Sequence, residues 1–355
     1  MTISRKIKVL IVDDSALIRA ILTEIINSDS RFTVVGAAKD PFEAREMIKA
    51  LLPDVLTLDI EMPRMNGITF LQNLMRLRPM PVLMISTLTQ EGAPATLEAL
   101  ELGAVDFLPK PQTGGDAALE IYRELILDKL FWAAKANISR PEPEAKTLSD
   151  LAAISHNRNL RRGFICAIGA STGGTEAIKT VLEDMPAGAP PIVITQHIPE
   201  SFSTSFAKRL DSLSAMRVYE AEHNQLILPG CAYLAPGHSH LRVVKTAKGY
   251  LCRLDRGEPV NRHRPSVEVL YDSVTEAAGD CALGVILTGM GADGAQALLR
   301  MRQAGAMTLG QDEATSVVWG MPGAAFKLGA VDKVLPLQKM ARLIMQQAYA
   351  LAEHK

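Results

Sequence analysis

The sequence predicts an α/β protein made of two doubly wound, mostly parallel sheets in succession, the first of them flavodoxin-like. Three observations predict it. From Ile7 to about Phe131, short apolar runs alternate with segments of helical period. A stretch rich in proline and charge, Ser139-Arg-Pro-Glu-Pro-Glu-Ala-Lys146, then interrupts the pattern. At Gly163 the strand and helix rhythm restarts. A chain of 355 residues, 48% hydrophobic and 22% charged, can bury a large core, and by length it divides into about two domains.

In the first half the expected strands are Lys8–Val12, Thr33–Gly36, Val55–Leu58, Val82–Ile85 and Val105–Leu108. Between the first two, Leu17, Ile18, Ile21, Leu22, Ile25 and Ile26 recur at helical spacing and give one broad apolar face for the sheet. A last helix is expected from about Asp116 to Ala134. The boundaries that follow are a first domain over 1–134, a linker over 135–161 and a second domain over 162–355. In the second domain Phe164–Ile168 reads as a strand, followed by a glycine-rich turn and a helix through Leu182, then Pro191–Thr195 as the next strand. Ala282–Leu287 is a further buried strand ahead of a glycine-rich turn and a helix through Met301. Val218 to Leu254, with Pro-Gly pairs at 229–230 and 236–237, reads as a β-hairpin excursion.

The formal charge of −1, from 38 basic and 39 acidic residues, speaks against a nucleic-acid partner. A DNA-binding output is further disfavoured because the second half shows no helix-turn-helix pattern. Cys166, Cys231, Cys252 and Cys281 are far apart with no CxxC pair, so neither a zinc site nor a disulfide framework is indicated and a reducing cytoplasm fits best. The apolar run Ile7–Val12 is too short for a signal-peptide core or a membrane span, so direct membrane insertion is not expected.

Asp13 and Asp14 close the first strand and Asp59 closes the third. The carboxyl ends of strands in a doubly wound sheet line one crevice, so these three carboxylates should converge. Anions sharing a pocket repel one another, and an oxygen-seeking cation such as Mg²⁺ relieves that. Ser86 ends the fourth strand and Lys110 follows the fifth, and both enter the same crevice, where an ammonium can pair with a phosphoryl oxygen. A single Asp after a strand is more commonly a helix cap. Five polar residues at strand ends are poorly explained that way.

The segment resembles the response-regulator receiver family through VDDS at 12–15, LDIEMPRMNG at 58–67 and KP at 110–111 after an LGA turn. That resemblance implies that Asp59 accepts a phosphoryl group from a histidine kinase. It further implies Asp13, Asp14, Asp59 and the Glu61 carbonyl as Mg²⁺ ligands, Ser86 and Lys110 as readers of the phosphate, and Phe107 at an aromatic switch position. Pro109 ahead of Lys110 is an unusual neighbour with a bearing on how such a switch moves.

In the second half, Gly169-Ala170-Ser171-Thr172-Gly173 has the spacing of a nucleophile elbow and lies between a buried strand and a helix. The same turn suits a phosphate in a dinucleotide-binding fold, which would need an acidic residue ending the next strand. That strand runs instead into Gln196-His197-Ile198-Pro199 and so places a histidine beside the serine turn. Histidine is the usual general base near neutral pH, and it needs a buried acceptor on its other nitrogen. Asp293 in Thr288-Gly-Met-Gly-Ala-Asp-Gly294 is the expected acceptor. The amides of Thr172 and Met290 are the expected oxyanion donors. Each residue has a plainer use: Ser171 as a helix cap, His197 as a hydrogen-bonded crevice residue, Asp293 as a turn former. A rival assignment of Ser171, Asp255 or Asp280, and His263 ranks lower, because Asn261-Arg-His-Arg-Pro265 reads as a charged, solvated segment away from any strand end.

This half resembles the catalytic domain of the protein-glutamate methylesterase family through IGASTGGTEAI at 168–178, QHIP at 196–199, NRHRPSV at 261–267, LTGMGADG at 287–294 and WGMPGAA at 319–325. With the receiver and linker, the match spans essentially the whole chain. It implies a phosphorylation-activated serine esterase acting on methyl-accepting chemotaxis receptors, with glutaminase activity on particular receptor glutamines. A chemotaxis histidine kinase would be the phosphodonor, and no cofactor would serve ester hydrolysis. The alternative left open is a receiver joined to a nucleotide-binding, non-hydrolytic module.

Overall fold

The computed structural model describes residues 5–87, 92–111, 116–138 and 159–349. The chain divides into two compact units, 1–139 and 140–355. Most of the linker expected over 135–161 lies outside the described residues.

The first unit is a five-stranded parallel sheet of β1 (Ile7–Val12), β2 (Phe32–Ala38), β3 (Val55–Leu58), β4 (Val82–Ser86) and β5 (Asp106–Pro109), in the order β2-β1-β3-β4-β5. That order is the flavodoxin-like one, with its switch point between β1 and β3. β3 and β4 are fully buried, as strands covered on both faces by helices must be. The helices are α1 (Ala16–Asn27), α2 (Pro41–Leu51), α3 (Gly67–Leu77), α4 (Ala93–Glu101) and α5 (Asp116–Ala133). In α1, Leu22, Ile25 and Ile26 carry the buried face, while Leu17 is exposed despite its helical spacing. The Ser15 side chain accepts the Ile18 N–H and so starts α1 immediately after the Asp13-Asp14 pair.

The second unit holds a seven-stranded sheet built from β6 (Ile165–Ala170), β7 (Ile192–Gln196), β8 (Arg217–Glu220), β9 (Cys231–Leu234), β12 (Ala282–Ile286), β13 (Met307–Gln311) and β14 (Lys333–Leu335). Its order is β14-β13-β12-β6-β7-β9-β8, and every pairing is parallel. Among the described residues, only β10 (His240–Thr246) and β11 (Gly249–Asp255) form an antiparallel hairpin. The expected excursion over Val218–Leu254 is thereby corrected: its first part supplies two strands of the main sheet. The β8–β9 connection returns without a helix, through a loop containing Asn224 with positive φ and the Pro229–Gly230 turn, so its local signals are those of a hairpin.

The helices of this unit are α6 (Gly174–Glu183), α7 (Glu200–Leu213), α8 (Val267–Ala278), α9 (Ala295–Gln303), α10 (Met321–Lys327) and α11 (Met340–Ala348). β6 and β7 lead to one side of the sheet and β12 to the other, so the chain reverses direction at β6. The carboxyl ends of β6, β7 and β12 therefore open the crevice where such sheets bind ligands.

Candidate functional site

At the end of β1 and β3, Asp13, Asp14 and Asp59 offer oxygen atoms that all lie within 4.8 Å of one another. Lys110 Nζ lies 2.7 Å from Asp59 Oδ2 and 3.2 Å from Asp13 Oδ2. Burial pushes the Asp59 carboxyl up to about 6; Lys110 pulls it down and Asp13 adds to the rise. The Asp13 carboxyl is raised as well, by burial above all. Burial would lower the Lys110 ammonium, but its two carboxylate partners outweigh that and raise it. Asp59 Oδ1 is buried with no hydrogen-bond partner, and Asp13 Oδ2 accepts no hydrogen bond beyond its ion pair. Three acidic groups against one ammonium, with an orphaned carboxylate oxygen between them, is a donor set that fits a hard, oxygen-liganded divalent cation.

Ser86 is buried at the end of β4, and Lys110 N–H donates to its carbonyl at 3.0 Å. Phe107 is buried within β5, while Glu61 is exposed just after Asp59. Pro109 ends β5 as the register partner of Ser86, which seats Lys110 one step past the sheet. Gly67 is needed for close approach: a Cβ there would stand 1.9 Å from the Asp59 carbonyl oxygen.

In the second unit, Ala170 at the end of β6 pairs with Gln196 at the end of β7. Ser171 and His197 are the next residue on each strand, so they stand side by side at the crevice, both nearly buried. His197 Nε2 lies 2.8 Å from Asp293 Oδ2, across 96 residues of sequence. Asp293 also accepts from Asn261 Nδ2 at 2.8 Å, Ser266 Oγ at 2.9 Å and the Val267 N–H at 2.7 Å. Burial alone would raise its carboxyl, but the His197 bond, then Asn261 and Val267, overcome that and hold it down to about 2. Asp293 is therefore an anion at every physiological pH, placed against the N-terminus of α8 where the helix dipole favours it. With Nε2 bound to a carboxylate, that nitrogen carries the proton. His197 Nδ1 is buried and has no hydrogen-bond partner.

The serine turn is held from two sides. Ser171 N–H donates to the Thr288 carbonyl at 3.0 Å, and the Thr288 hydroxyl donates to the Thr172 carbonyl at 2.9 Å. Gly173 adopts φ 74° at the start of α6, a conformation suited to glycine. Gly289 packs directly on Ser171, since a Cβ on it would lie 2.9 Å from Ser171 Cβ. Met290 follows in the same turn, which Gly320 and Met321 anchor by donating to the Gly289 carbonyl at 3.1 and 2.8 Å.

One segment read from sequence as solvated surface is part of this site. The His263 ring stacks on His197 with centroids 3.6 Å apart and planes tilted by 14°. Asn261 and Arg262 both have positive φ, forming a tight turn closed by hydrogen bonds between Val260 and His263 in both directions. That turn aims Asn261 at Asp293 and His263 at His197. The segment stood in the sequence as the NRHRPSV motif of the resembled family, but its charge by itself does not separate a site from a surface loop. His240 is a packing residue: it is buried, Nδ1 accepts the Ser266 N–H at 3.1 Å, and Nε2 donates to the Glu258 carbonyl at 3.0 Å. Asp255 pairs with Arg242 at 3.0 Å. Among the described residues no helix is long and apolar enough to cross a membrane.

Fold and site together define a two-part signalling protein, an acidic-pocket receiver followed by a hydrolase-type domain on a doubly wound parallel sheet. Residues 9–120 match the response regulator receiver domain and residues 166–344 the CheB methylesterase domain. A Saccharophagus degradans protein named protein-glutamate methylesterase/protein-glutamine glutaminase 2 is 65% identical over 97% of this chain and 99% of its own length. A Xanthomonas campestris protein named protein-glutamate methylesterase/protein-glutamine glutaminase 1 is 56% identical over 99% of this chain and all of its own length. The crystal structure of the Thermotoga maritima CheB methylesterase catalytic domain superposes with a TM-score of 0.51 at 36% identity, covering 52% of this chain and 98% of that one. The chain belongs to the CheB family of receiver-linked protein-glutamate methylesterases, as its motifs imply. The nucleotide-binding alternative finds no support.

Proposed function

We propose that the second domain hydrolyses γ-methyl esters of receptor glutamates, with Ser171, His197 and Asp293 as its catalytic residues. The observation that carries the reading is the His197 ring: Nε2 is engaged by an anion, Nδ1 is buried and unpartnered, and the residue follows the strand that pairs with the one leading into Ser171. Nδ1 takes the Ser171 hydroxyl proton as Oγ attacks the ester carbonyl carbon. The tetrahedral oxyanion collapses, the ester C–O bond breaks, and Nδ1 returns its proton to the departing methanol. Water then attacks the acyl-enzyme with the same proton relay, giving the glutamate carboxylate and restoring Ser171. Asp293 stabilises the imidazolium formed in both halves. The backbone amides of Thr172 and Met290, on turns held together through Thr288, are the oxyanion donors in this reading. Deamidation of a receptor glutamine follows the same course with ammonia leaving.

In the first domain Asp59 is the phosphoacceptor, a chemotaxis histidine kinase the donor, and Ser86, Lys110 and Phe107 the residues that respond. Asp13, Asp14, Asp59 and the Glu61 carbonyl would hold Mg²⁺, which supplies charge neutralisation for the transferring phosphoryl group. Domain limits of 1–134 and 162–355, and a cytoplasmic location, complete the reading. All four cysteines are free, as a reducing compartment would leave them. The test is methanol release from methylated receptor membranes, with and without a small acyl-phosphate donor. Ser171→Ala is expected to abolish release, and Asp59→Asn to keep the basal rate while losing the response to the donor. Release by Ser171→Ala at the unsubstituted rate would overturn the esterase assignment.

A further inference from the structure

The ladder between β6 and β7 ends where the chemistry begins. Its last rung is the His197 N–H donating to the Ala170 carbonyl at 3.1 Å, after which one chain turns into α6 and the other toward α7. No strand pairing holds the Ser171 and His197 peptides to each other beyond that point. A single carboxamide does: Gln196 Nε2 donates to the Ser171 carbonyl at 2.8 Å and to the His197 carbonyl at 3.2 Å. Gln196 is buried, and the Ser171 carbonyl also accepts the Gly174 N–H at 2.7 Å.

The orientation of the carboxamide follows from its surroundings. Turned over, its oxygen would face two carbonyl oxygens, a repulsive arrangement, whereas the amino group offers two donors to two acceptors. In the observed orientation Oε1 is buried without a partner, an unfavourable state that the structure tolerates in order to keep both donors on the two carbonyls. Space for it exists only because residue 174 is glycine, where a Cβ would stand 2.1 Å from Oε1.

We infer that Gln196 is a positioning residue for the esterase reaction, setting the separation of the Ser171 hydroxyl and the His197 ring by tying their two peptides to one amino group. This rests on the catalytic roles proposed above. Misplacement of reacting groups by an ångström costs roughly 100-fold in rate. Loss of the bridge should therefore act on kcat and leave receptor binding alone.

Gln196→Met keeps the length and removes both donors. Gly174→Ala keeps Gln196 and forces its carboxamide to move, while also pressing on the Ala170 Cβ, which would lie 2.6 Å from the new methyl. Both variants are made in the full chain and compared with the unsubstituted protein and with Ser171→Ala. The measurements are methanol release, the rate of Ser171 labelling by a small phosphonate, and thermal unfolding. Expected for both variants is a fall in kcat of about 10- to 100-fold with KM within about twofold. The labelling rate should fall in parallel, even where Gly174→Ala unfolds no earlier than the unsubstituted protein. Gln196→Glu should regain activity relative to Gln196→Met as pH is lowered from 8 to 6, because a protonated carboxyl restores one donor. Unchanged kcat and labelling in folded Gly174→Ala and Gln196→Met would overturn the inference, as would a loss confined to KM. Absence of methanol release from the unsubstituted protein would instead overturn the esterase reading on which it rests.

Discussion

Asp293→Asn separates charge from geometry at the His197 ring. In the observed site Oδ2 accepts from His197 Nε2 and from the Val267 N–H, whereas Oδ1 accepts from Asn261 Nδ2 and Ser266 Oγ. The Val267 amide is a fixed donor, so an asparagine must turn its oxygen to that side and its amino group toward Oδ1. There the Ser266 hydroxyl can rotate and the Asn261 carboxamide can turn over, so both become acceptors, and only the long Glu268 N–H contact at 3.4 Å is left facing a donor. The oxygen facing His197 is preserved, and with it the tautomer that leaves Nδ1 as the base. What is lost is the negative charge. The Asp293 carboxyl sits at about 2 against an ordinary 3.8, with burial opposing and the His197 bond as the largest favourable contribution. A hydrogen bond to a charged acceptor contributes roughly 1–2 kcal/mol more than one to a neutral acceptor, and that difference is what the imidazolium loses in the transition state. kcat for methanol release should fall by about 10- to 30-fold, with KM little changed. A substitution that also flipped the tautomer would cost about 10⁴-fold. Steady-state methanol release from methylated receptor membranes at pH 7 to 8 reads the difference. A loss below about 5-fold, or one approaching the 10⁴-fold of a flipped tautomer, refutes the reasoning. Asp293→Ala is the contrast: it strands the buried Val267 N–H, which costs about 1–3 kcal/mol, so it should also unfold earlier.

The two carboxyls with large shifts make opposite contributions to stability against pH. Asp293, depressed to about 2, stabilises the fold above pH 4, and that contribution is lost as pH falls through about 2. Asp59, raised to about 6, does the reverse: ionising it opposes folding, so stability falls as pH rises from about 4 to about 6 and stays low above. Asp59→Asn should therefore stabilise the first unit at pH 7.5 in chelator by up to about 3 kcal/mol, with Mg²⁺ narrowing the gap; thermal unfolding showing no gain would contradict this. His240→Leu should destabilise the second unit by about 2–4 kcal/mol in urea unfolding, because it strands the Ser266 N–H and the Glu258 carbonyl. A change under about 0.5 kcal/mol would remove the packing role assigned to His240.

Much of this molecule is legible without coordinates, because the periodicity of apolar residues and the rule that α/β sheets bind at their carboxyl ends are local properties. Asp13, Asp14, Asp59, Ser86 and Lys110 could all be assigned to one crevice from strand ends, and Ser171 and His197 to adjacent ones. Gly169 to Gly173 and Gly289 to Gly294 announce tight turns by composition alone. Three features escaped. β8 and β9 looked like a hairpin because the loop between them carries turn residues, and strand direction is decided by which neighbour each strand finds. Asn261 and His263, in the run Asn261 to Pro265, looked like a charged surface loop because the charge of their own segment does not say what lies opposite. Gln196 passed as the residue before the histidine, although its carboxamide joins the peptide of Ser171, 25 residues away from it, to that of His197, its neighbour in sequence.

The amino-acid sequence by itself determined the two-domain α/β plan, the strand-end positions of the acidic residues and of Ser171 and His197, and the family. Tertiary structure alone decided which nitrogen of His197 meets Asp293, that a left-handed turn at Asn261 and Arg262 brings a second imidazole onto the first, and that one glutamine spans the gap between serine and histidine. The physical reason is range. Apolar periodicity and turn chemistry act over a few residues, whereas the bonds that orient the site join partners such as His197 and Asp293, 96 residues apart, and exist only once both sides of the sheet have been wound.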